Sequence, residues 1–390
     1  MGTIDRLRST LIETRGTLKI LPNLPWVLPQ TKWNGGRILA DNAKKYGSRP
    51  ALAYLEERYT WKQYNDKANQ YADFLRKQGI GKGDVVALVM DNRPDFLFAF
   101  MGINKLRAVS AMINTNLTGK ALTHAINIGG PKAVLVGNEH TEAVKAIEGD
   151  LENIDLKKDM WVQLENGQGD SAGYRVINDE VAASATREHS TKDNMPSTAE
   201  RMCFIYTSGT TGLPKAAVIT NQRWLMAGLA FGKTLHDAKA SDTIYVALPL
   251  YHSSAQFGGV GATLATGASL ALRRKFSASN FWSDVRSFGA TRFMYIGELC
   301  RYLLNHPVQP GERDHKLKIG VGNGLRPDIW ETFQDRFGVP TMREFYGATE
   351  GNAPLFNIEG RPGKVGRLRP GQVIVNCDPA TGDIIRNSQG

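Results

Sequence analysis

Short apolar runs alternate with segments of helical spacing, and this alternation constrains the fold more than any other feature of the 390 residues. DVVALVM (84–90), AVSAMIN (108–114), KAVLVG (132–137), MCFIYT (202–207), IYVALPL (244–250), ASLALR (268–273), ATRFMYI (290–296), LKIGVG (317–322) and TMREFYG (341–347) are too short for helices. Most lack polar alternation, as strands buried on both faces do. Between them, TWKQYNDKANQYADFLRKQG (60–79) has helical spacing, with Thr60 as N-cap and Gly79 as stop. RPDFLFAFMGINKLRA (93–108) carries Pro94 in its first turn. Such β-α-β-α order predicts an α/β fold whose mostly parallel sheet is covered on both faces. Residues 137–200 are acidic and weakly patterned, and predict peripheral structure and a loop.

Composition narrows the class. A hydrophobic fraction of 42% and a charged fraction of 22% are globular values and exclude a largely disordered or fibrous chain. Cys203, Cys300 and Cys377 are too scattered for a disulfide framework or a metal quartet, which points to a reducing, cytoplasmic compartment. MGTIDRLRST has no apolar h-region, so no secretory signal is read there. Thr243 to Leu272 contains no Asp, Glu, Lys or Arg, but Pro249, His252, Gln256 and its glycines interrupt it. A buried strand–loop–helix is expected there rather than a membrane span. The net charge is +10, and no run of like charge or aromatic–basic motif calls for nucleic acid. Ile4, Leu7, Leu11 and Leu18 fall near one helical face with Arg6, Arg8, Arg15 and Lys19 around it. This segment reads either as a helix docked on its own domain or as one lying on an anionic membrane surface.

Forty glycines, about one residue in ten against a usual ~7%, concentrate attention on four segments. In the first, the strand MCFIY enters Tyr206-Thr207-Ser208-Gly209-Thr210-Thr211-Gly212-Leu213-Pro214-Lys215. Glycines let backbone N–H groups face an anion, hydroxyls add donors, and Lys215 adds a compact positive charge. This is a phosphate loop in physical terms, although the G-x-x-x-x-G-K-[ST] spacing fails and a strand, AAVIT, is expected to follow. In the second, Glu344 to Asn352, the aromatic Tyr346 beside Gly347 offers a stacking surface. There Thr349 can donate to a phosphate, and Glu350 is a hard oxygen ligand suited to Mg²⁺. In the third, Gly320, Gly322 and Gly324 let a ligand ring lie on bare backbone, with Asn323 available to an adenine edge. In the fourth, His252 ends the strand of LPLYH and could orient a carboxylate or gate a tunnel. Gly258, Gly259 and Gly261 after it leave room either for a long apolar ligand or for close packing of another helix.

YTSGTTGLPK, LPLYH, GNGLRP and FYGATEGN, in this order, resemble the adenylate-forming superfamily of acyl-CoA synthetases, luciferases and peptide-synthetase adenylation domains. RYLLNHP, GNGLRPDIWETFQDRFGV and EFYGATEGN look like its fatty-acid transport protein and very-long-chain acyl-CoA synthetase branch. The resemblance implies two doubly wound α/β subdomains packed together, with the start of a small β subdomain. The chain then divides into a basic N-terminal segment with elements packing on the second subdomain (1–58), a first subdomain ending in the phosphate loop (59–222), a second subdomain (223–350), and an incomplete β portion (351–390). It implies ATP and CoA as co-substrates, a long- or very-long-chain fatty acid as the acid, acyl-adenylate as intermediate, AMP as product and Mg²⁺ at Glu350. Thr207 to Lys215 would hold the β- and γ-phosphates, Tyr346 would stack on adenine beside Gly322, Asn323 and Gly324, Thr349 would meet the α-phosphate, and His252 would lie by the acid. The family's C-terminal lid domain with its lysine is not recognised in the sequence, so an impaired N-terminal portion is expected. Thr381-Gly382-Asp383 reads as a β-turn rather than the family's ribose-binding segment. Two other readings stand beside this one: a synthetase for a bile, aryl or short-chain acid, and a non-catalytic fatty-acid binding module at the cytoplasmic face of a membrane.

Overall fold

The computed structural model describes residues 14–16, 18–29, 31–189, 194, 196–207, 212–351, 353–368 and 372–386. Among them, two sheets carry the fold. The first runs Arg175–Val176, Met160–Gln163, Ala133–Gly137, Val85–Val89, Val109–Met112, Arg201–Thr207, Lys215–Thr220 across its width. It is parallel except for the final pair. The second runs Leu355–Asn357, Thr341–Tyr346, Ile319–Asn323, Arg292–Ile296, Thr243–Val246, Ser269–Leu272, Pro50–Tyr54, Glu57–Thr60, parallel except at its two edges. All nine apolar runs named above supply strands to these sheets. The α/β expectation holds, with two mostly parallel sheets.

Strand side chains alternate between two cores. Val86 and Leu88 enter the large core that continues around the second sheet, while Val85, Ala87 and Val89 enter a smaller one on the opposite face of the first. The helix Trp61–Lys77 begins as its sequence dictates. The Gln63 N–H donates to Thr60 Oγ1 (3.2 Å) and the Thr60 N–H donates to Gln63 Oε1 (2.8 Å), a reciprocal capping box. Pro94 stands at the first position of Pro94–Lys105, where its missing N–H costs nothing.

One element differs from expectation. Met160–Gln163 is a fully buried strand inside the region read as peripheral, because four residues in a polar neighbourhood carry too weak a period to stand out. The hairpin Pro50–Tyr54/Glu57–Thr60 extends the second sheet from far upstream in sequence, turning through Leu55 at φ +47°. Past residue 352, the described chain adds Leu355–Asn357 and the isolated bridges Phe356–Arg367 and Cys377–Ile384; Thr381, Gly382 and Asp383 are exposed in the turn between the latter pair.

The basic amphipathic segment falls largely outside the described residues. Residues 14–16 and 18–20 are helical, Lys19 pairs with Asp237, and Gly16 lies against Thr234, so this part rests on the second sheet's own layer. No described helix is long and apolar enough to cross a membrane.

Thr60→Ala removes one arm of the capping box and should lower stability by about 1 kcal/mol. An unchanged urea midpoint would show that packing alone starts this helix.

Candidate functional site

All four sequence motifs stand at the C-terminal ends of parallel strands, the end at which open α/β sheets hold ligands. Thr207 closes Arg201–Thr207, Leu248 to Ser254 follow Thr243–Val246, Asn323 ends Ile319–Asn323, and Gly347 to Glu350 follow Thr341–Tyr346.

Thr207 and Lys215 face each other as the last pair of an antiparallel hairpin, so the phosphate-loop sequence is the hairpin's connection. Ser208, Gly209, Thr210 and Thr211 lie outside the described residues. Gly212 has φ +83°, Lys215 is exposed, and His124 Nε2 lies 3.0 Å from the Pro214 carbonyl oxygen, tying the loop's far end to the helix Gly119–Ile128. The strand Lys215–Thr220 then leads directly into the helix Asn221–Leu229, which carries Arg223.

The turn after Ile319–Asn323 is fixed from below by Glu344. This buried carboxylate accepts the N–H of Leu325 (2.8 Å), the N–H of Gly324 (3.3 Å) and the hydroxyl of Tyr295 (3.0 Å). Burial raises the Glu344 pKa against these hydrogen bonds and drives the Tyr295 hydroxyl far above its ordinary value. Gly322 and Gly324 serve close approach. A Cβ on Gly322 would meet the Tyr295 carbonyl oxygen at 2.3 Å, while Gly324 sits at φ +79° against the N-terminus of Gly297–Asn305. Asn323 and Tyr346 remain exposed above this turn, Tyr346 to 63%.

Residues Leu248 to Ser254 are held by two buried amides. Asn92 donates to the carbonyls of Leu248 (2.8 Å) and Arg273 (3.0 Å) and accepts the Leu250 N–H (2.7 Å); Gln256 donates to the Leu250 carbonyl (2.7 Å). The segment touches cavities on both sides. Pro249 and Tyr251 line one of about 260 Å³; Ser253 and Ser254 line another of about 400 Å³. His252 is solvent-accessible, and the protein around it lowers its pKa below the usual value near 6.5, so the imidazole is neutral at pH 7.

The larger cavity is an apolar chamber. Met226, Ala230 and Phe231 form one wall, Phe257 another, and Phe345 and Phe356 a third. Gly347, Thr349 and Gly351 edge it, and Thr349 Oγ1 lies 3.1 Å from Ser253 Oγ. Arg223 also lines it, donating to the Gly351 carbonyl; burial lowers its pKa, and the Glu350 carboxylate opposes that shift only in part. No described contact joins Thr207 or Lys215 to Thr349 or Glu350. The link between the phosphate hairpin and the 349–351 turn runs through Arg223.

For Gly258, Gly259 and Gly261 the geometry favours close packing. A Cβ on Gly258 would strike Met294 at 2.5 Å, one on Gly259 would meet Val246 at 2.9 Å, and one on Gly261 would approach the Gly228 Cα to 3.0 Å. Their missing side chains admit neighbouring protein and bring Gln256–Gly261 against Asn221–Leu229, rather than opening a groove of their own.

Asn92, Arg223 and Glu344 are functional-site residues that sequence reading gave no role. None of them carried a local signal: Glu344 follows Arg343 in the strand Thr341–Tyr346, and its hydrogen-bond partners lie outside that strand.

This two-sheet architecture is the N-terminal portion of adenylate-forming enzymes. An anthranilate CoA ligase solved with anthranoyl-AMP matches at a TM-score of 0.81 and 22% identity, over 92% of this chain and 68% of that one. The inhibitor-bound N-terminal domain of FACL13 from Mycobacterium tuberculosis matches at 0.74 and 22%, over 90% and 86%. The chain belongs to the AMP-binding enzyme family, whose sequence model matches residues 39–390. It is 36% identical to the medium/long-chain-fatty-acid–CoA ligase FadD6 of Mycobacterium tuberculosis over 93% of this chain and 58% of that protein. It is 39% identical to the long-chain fatty acid transport protein 6 of Homo sapiens over 90% and 56%. The chain thus spans a little over half the length of these relatives.

Replacing Glu344 by Ala strips the acceptor from the buried Leu325 N–H, the Gly324 N–H and the Tyr295 hydroxyl, and should cost roughly 2–4 kcal/mol. The pH dependence has a fixed sign. With its folded pKa above the unfolded value near 4.3, Glu344 contributes stability that is present below that value and lost as pH rises through the higher folded pKa. Wild type should therefore lose stability relative to Glu344→Gln as pH rises above about 4; denaturant midpoints that differ by a constant amount at every pH would contradict it.

Proposed function

We propose that this chain is the ATP- and acid-binding portion of a long- or very-long-chain fatty acyl-CoA synthetase. The observation that carries this reading is the apolar chamber of about 400 Å³ that reaches Thr349, in a member of the AMP-binding enzyme family. Relatives named for long-chain fatty acid transport and for medium/long-chain fatty-acid–CoA ligation support the choice of acid. In this reading, 59–222 and 223–350 are the two α/β subdomains, and the chamber lies against the second.

In the first half-reaction a carboxylate oxygen of the acid attacks the α-phosphorus of ATP. The bond to the β-phosphate oxygen breaks, and diphosphate leaves. In the second, the CoA thiol loses its proton to solvent, its sulfur bonds to the acyl carbon, and the bond from that carbon to the AMP phosphate oxygen breaks to release AMP. In the first half-reaction the carboxylate is already a nucleophile at neutral pH, so there the protein's task is to position reactants and offset charge rather than remove a proton. Thr207 to Lys215 hold the departing phosphates, Thr349 meets the α-phosphate, and Tyr346 stacks on adenine beside Gly322, Asn323 and Gly324. Neutral His252 lies by the acid as a hydrogen-bonding group. Gly258, Gly259 and Gly261 act at one remove, setting how closely the chamber's helices approach.

Glu350 fits Mg²⁺. It is an exposed carboxylate at the end of the chamber, and Mg²⁺ shared with phosphates needs only one or two such ligands. There Glu350 would hold the ion, which supplies neutralisation of phosphate charge.

Titrating the chain with acetate, benzoate, octanoate and hexadecanoate in the presence of MgATP should give the tightest binding with hexadecanoate; a preference for benzoate or acetate would refute the fatty-acid assignment. Glu350→Gln should weaken Mg²⁺-dependent ATP binding by about tenfold while leaving hexadecanoate binding in place. Equal ATP affinity in the two proteins would remove the metal role.

A further inference from the structure

Among the described residues that line the chamber, Arg223 is the one charged side chain. The rest of the lining is apolar or carries small neutral polar groups such as Ser253, Ser254 and Thr349. A largely apolar cavity with a single cation at one edge is complementary to an amphipathic anion, an acyl chain ending in a carboxylate. The cation is also at the correct end. Its guanidinium donates to the carbonyl of Gly351, two residues beyond Thr349, where the acid must meet the α-phosphate. Met226, Ala230 and Phe231 follow Arg223 along the chamber wall, so a ligand held at Arg223 has its chain directed along an apolar surface.

The competing candidate for the acid, His252, carries no charge at pH 7, and it is Ser253 and Ser254 beside it that line the chamber. A neutral imidazole can donate one hydrogen bond but cannot offset an anion's loss of water in a half-enclosed apolar site. Arg223 can. Its planar fork presents five N–H donors, of which the Gly351 contact uses one, and a carboxylate is the partner that this fork fits best. The position is also pre-organised. Arg223 lies in the first turn of Asn221–Leu229, whose start is fixed by the Arg223 N–H donating to Thr220 Oγ1 (3.2 Å) and by the buried Asn221 amide on the Glu200 carbonyl (3.1 Å).

We propose that Arg223 is the residue that binds the carboxylate of the acyl substrate, and that it selects acids over uncharged molecules of the same chain length. This rests on the chamber being the acid's site, as proposed above. Glu350 then acts as the guanidinium's neighbouring counter-charge while the chamber is empty.

The test is equilibrium binding of dodecanoate and dodecan-1-ol to the chain and to two variants. Wild type should prefer the acid. Arg223→Met, close in length and apolar, should lose roughly 10- to 100-fold in affinity for dodecanoate and little for the alcohol, collapsing the ratio between them. Arg223→Lys, which keeps the charge, should retain most of the preference for the acid. An unchanged acid-to-alcohol ratio in Arg223→Met would overturn the proposal, as would an equal loss of both ligands, because a residue that only props up the 349–351 turn cannot tell them apart. If wild type binds neither ligand, the chamber assignment itself fails and takes this proposal with it. If wild type binds both equally, only the role of Arg223 falls.

Discussion

Asn92 lies just past the end of the strand Val85–Val89, and its buried side chain bonds to Leu248, Leu250 and Arg273. Leu248 and Arg273 follow two neighbouring strands of the other sheet, Thr243–Val246 and Ser269–Leu272. One amide therefore joins the C-terminal end of the first sheet to those of two strands in the second. Buried amides are stable only when satisfied, and this one makes three of its four bonds to backbone that has no strand partner of its own there. The constraint sets how the two sheets meet and where the Leu248–Ser254 segment runs. It also places both cavities, since that segment touches each of them.

The electrostatics around this junction are sparse and asymmetric. His252 is neutral, and His236 is neutral as well, its pKa lowered to about 3 by burial. Among the described residues that line the chamber, charge is confined to Arg223, with Glu350 next to Thr349 as its neighbour. A chamber of this kind has a polar end and a longer apolar remainder.

The legibility of the sequence follows the range of the interaction. Strands such as Val85–Val89 and Arg201–Thr207 announce themselves through their own composition, and Thr60 and Gln63 encode a helix start within four residues. The motifs are equally local, so each could be placed at a strand end before any contact was known. Asn92, Arg223 and Glu344 could not, since their partners lie 156, 128 and 19 residues away and a single polar residue at a helix start or in a strand looks like a solvated one. The glycines at 258, 259 and 261 were ambiguous for the same reason: a missing side chain does not say whether protein or ligand fills its place, and only the positions of Met294, Val246 and Gly228 answer that. Met160–Gln163 escaped notice because it is short and set in polar sequence, while its burial comes entirely from neighbours.

The helix that carries Arg223 does not keep one period along its length. It is α-helical over Asn221–Leu229 and widens to a π-helix over Ala230–Leu235, opposite a second π-helix at Gln256–Gly261. The buried imidazole of His236 donates from Nε2 to the Gly258 carbonyl (2.9 Å) and clamps one wide segment to the other. A π turn holds more residues than an α turn, so each wide segment stores part of a residue's rotation. Deleting one residue from Ala230–Leu235 would let the helix return to the α period with little change of phase, whereas a deletion within Asn221–Leu229 would turn everything beyond it by ~100°. The wide segment is therefore where this helix can lose a residue and keep its two ends aligned, a tolerance that the regular turns around Arg223 do not share.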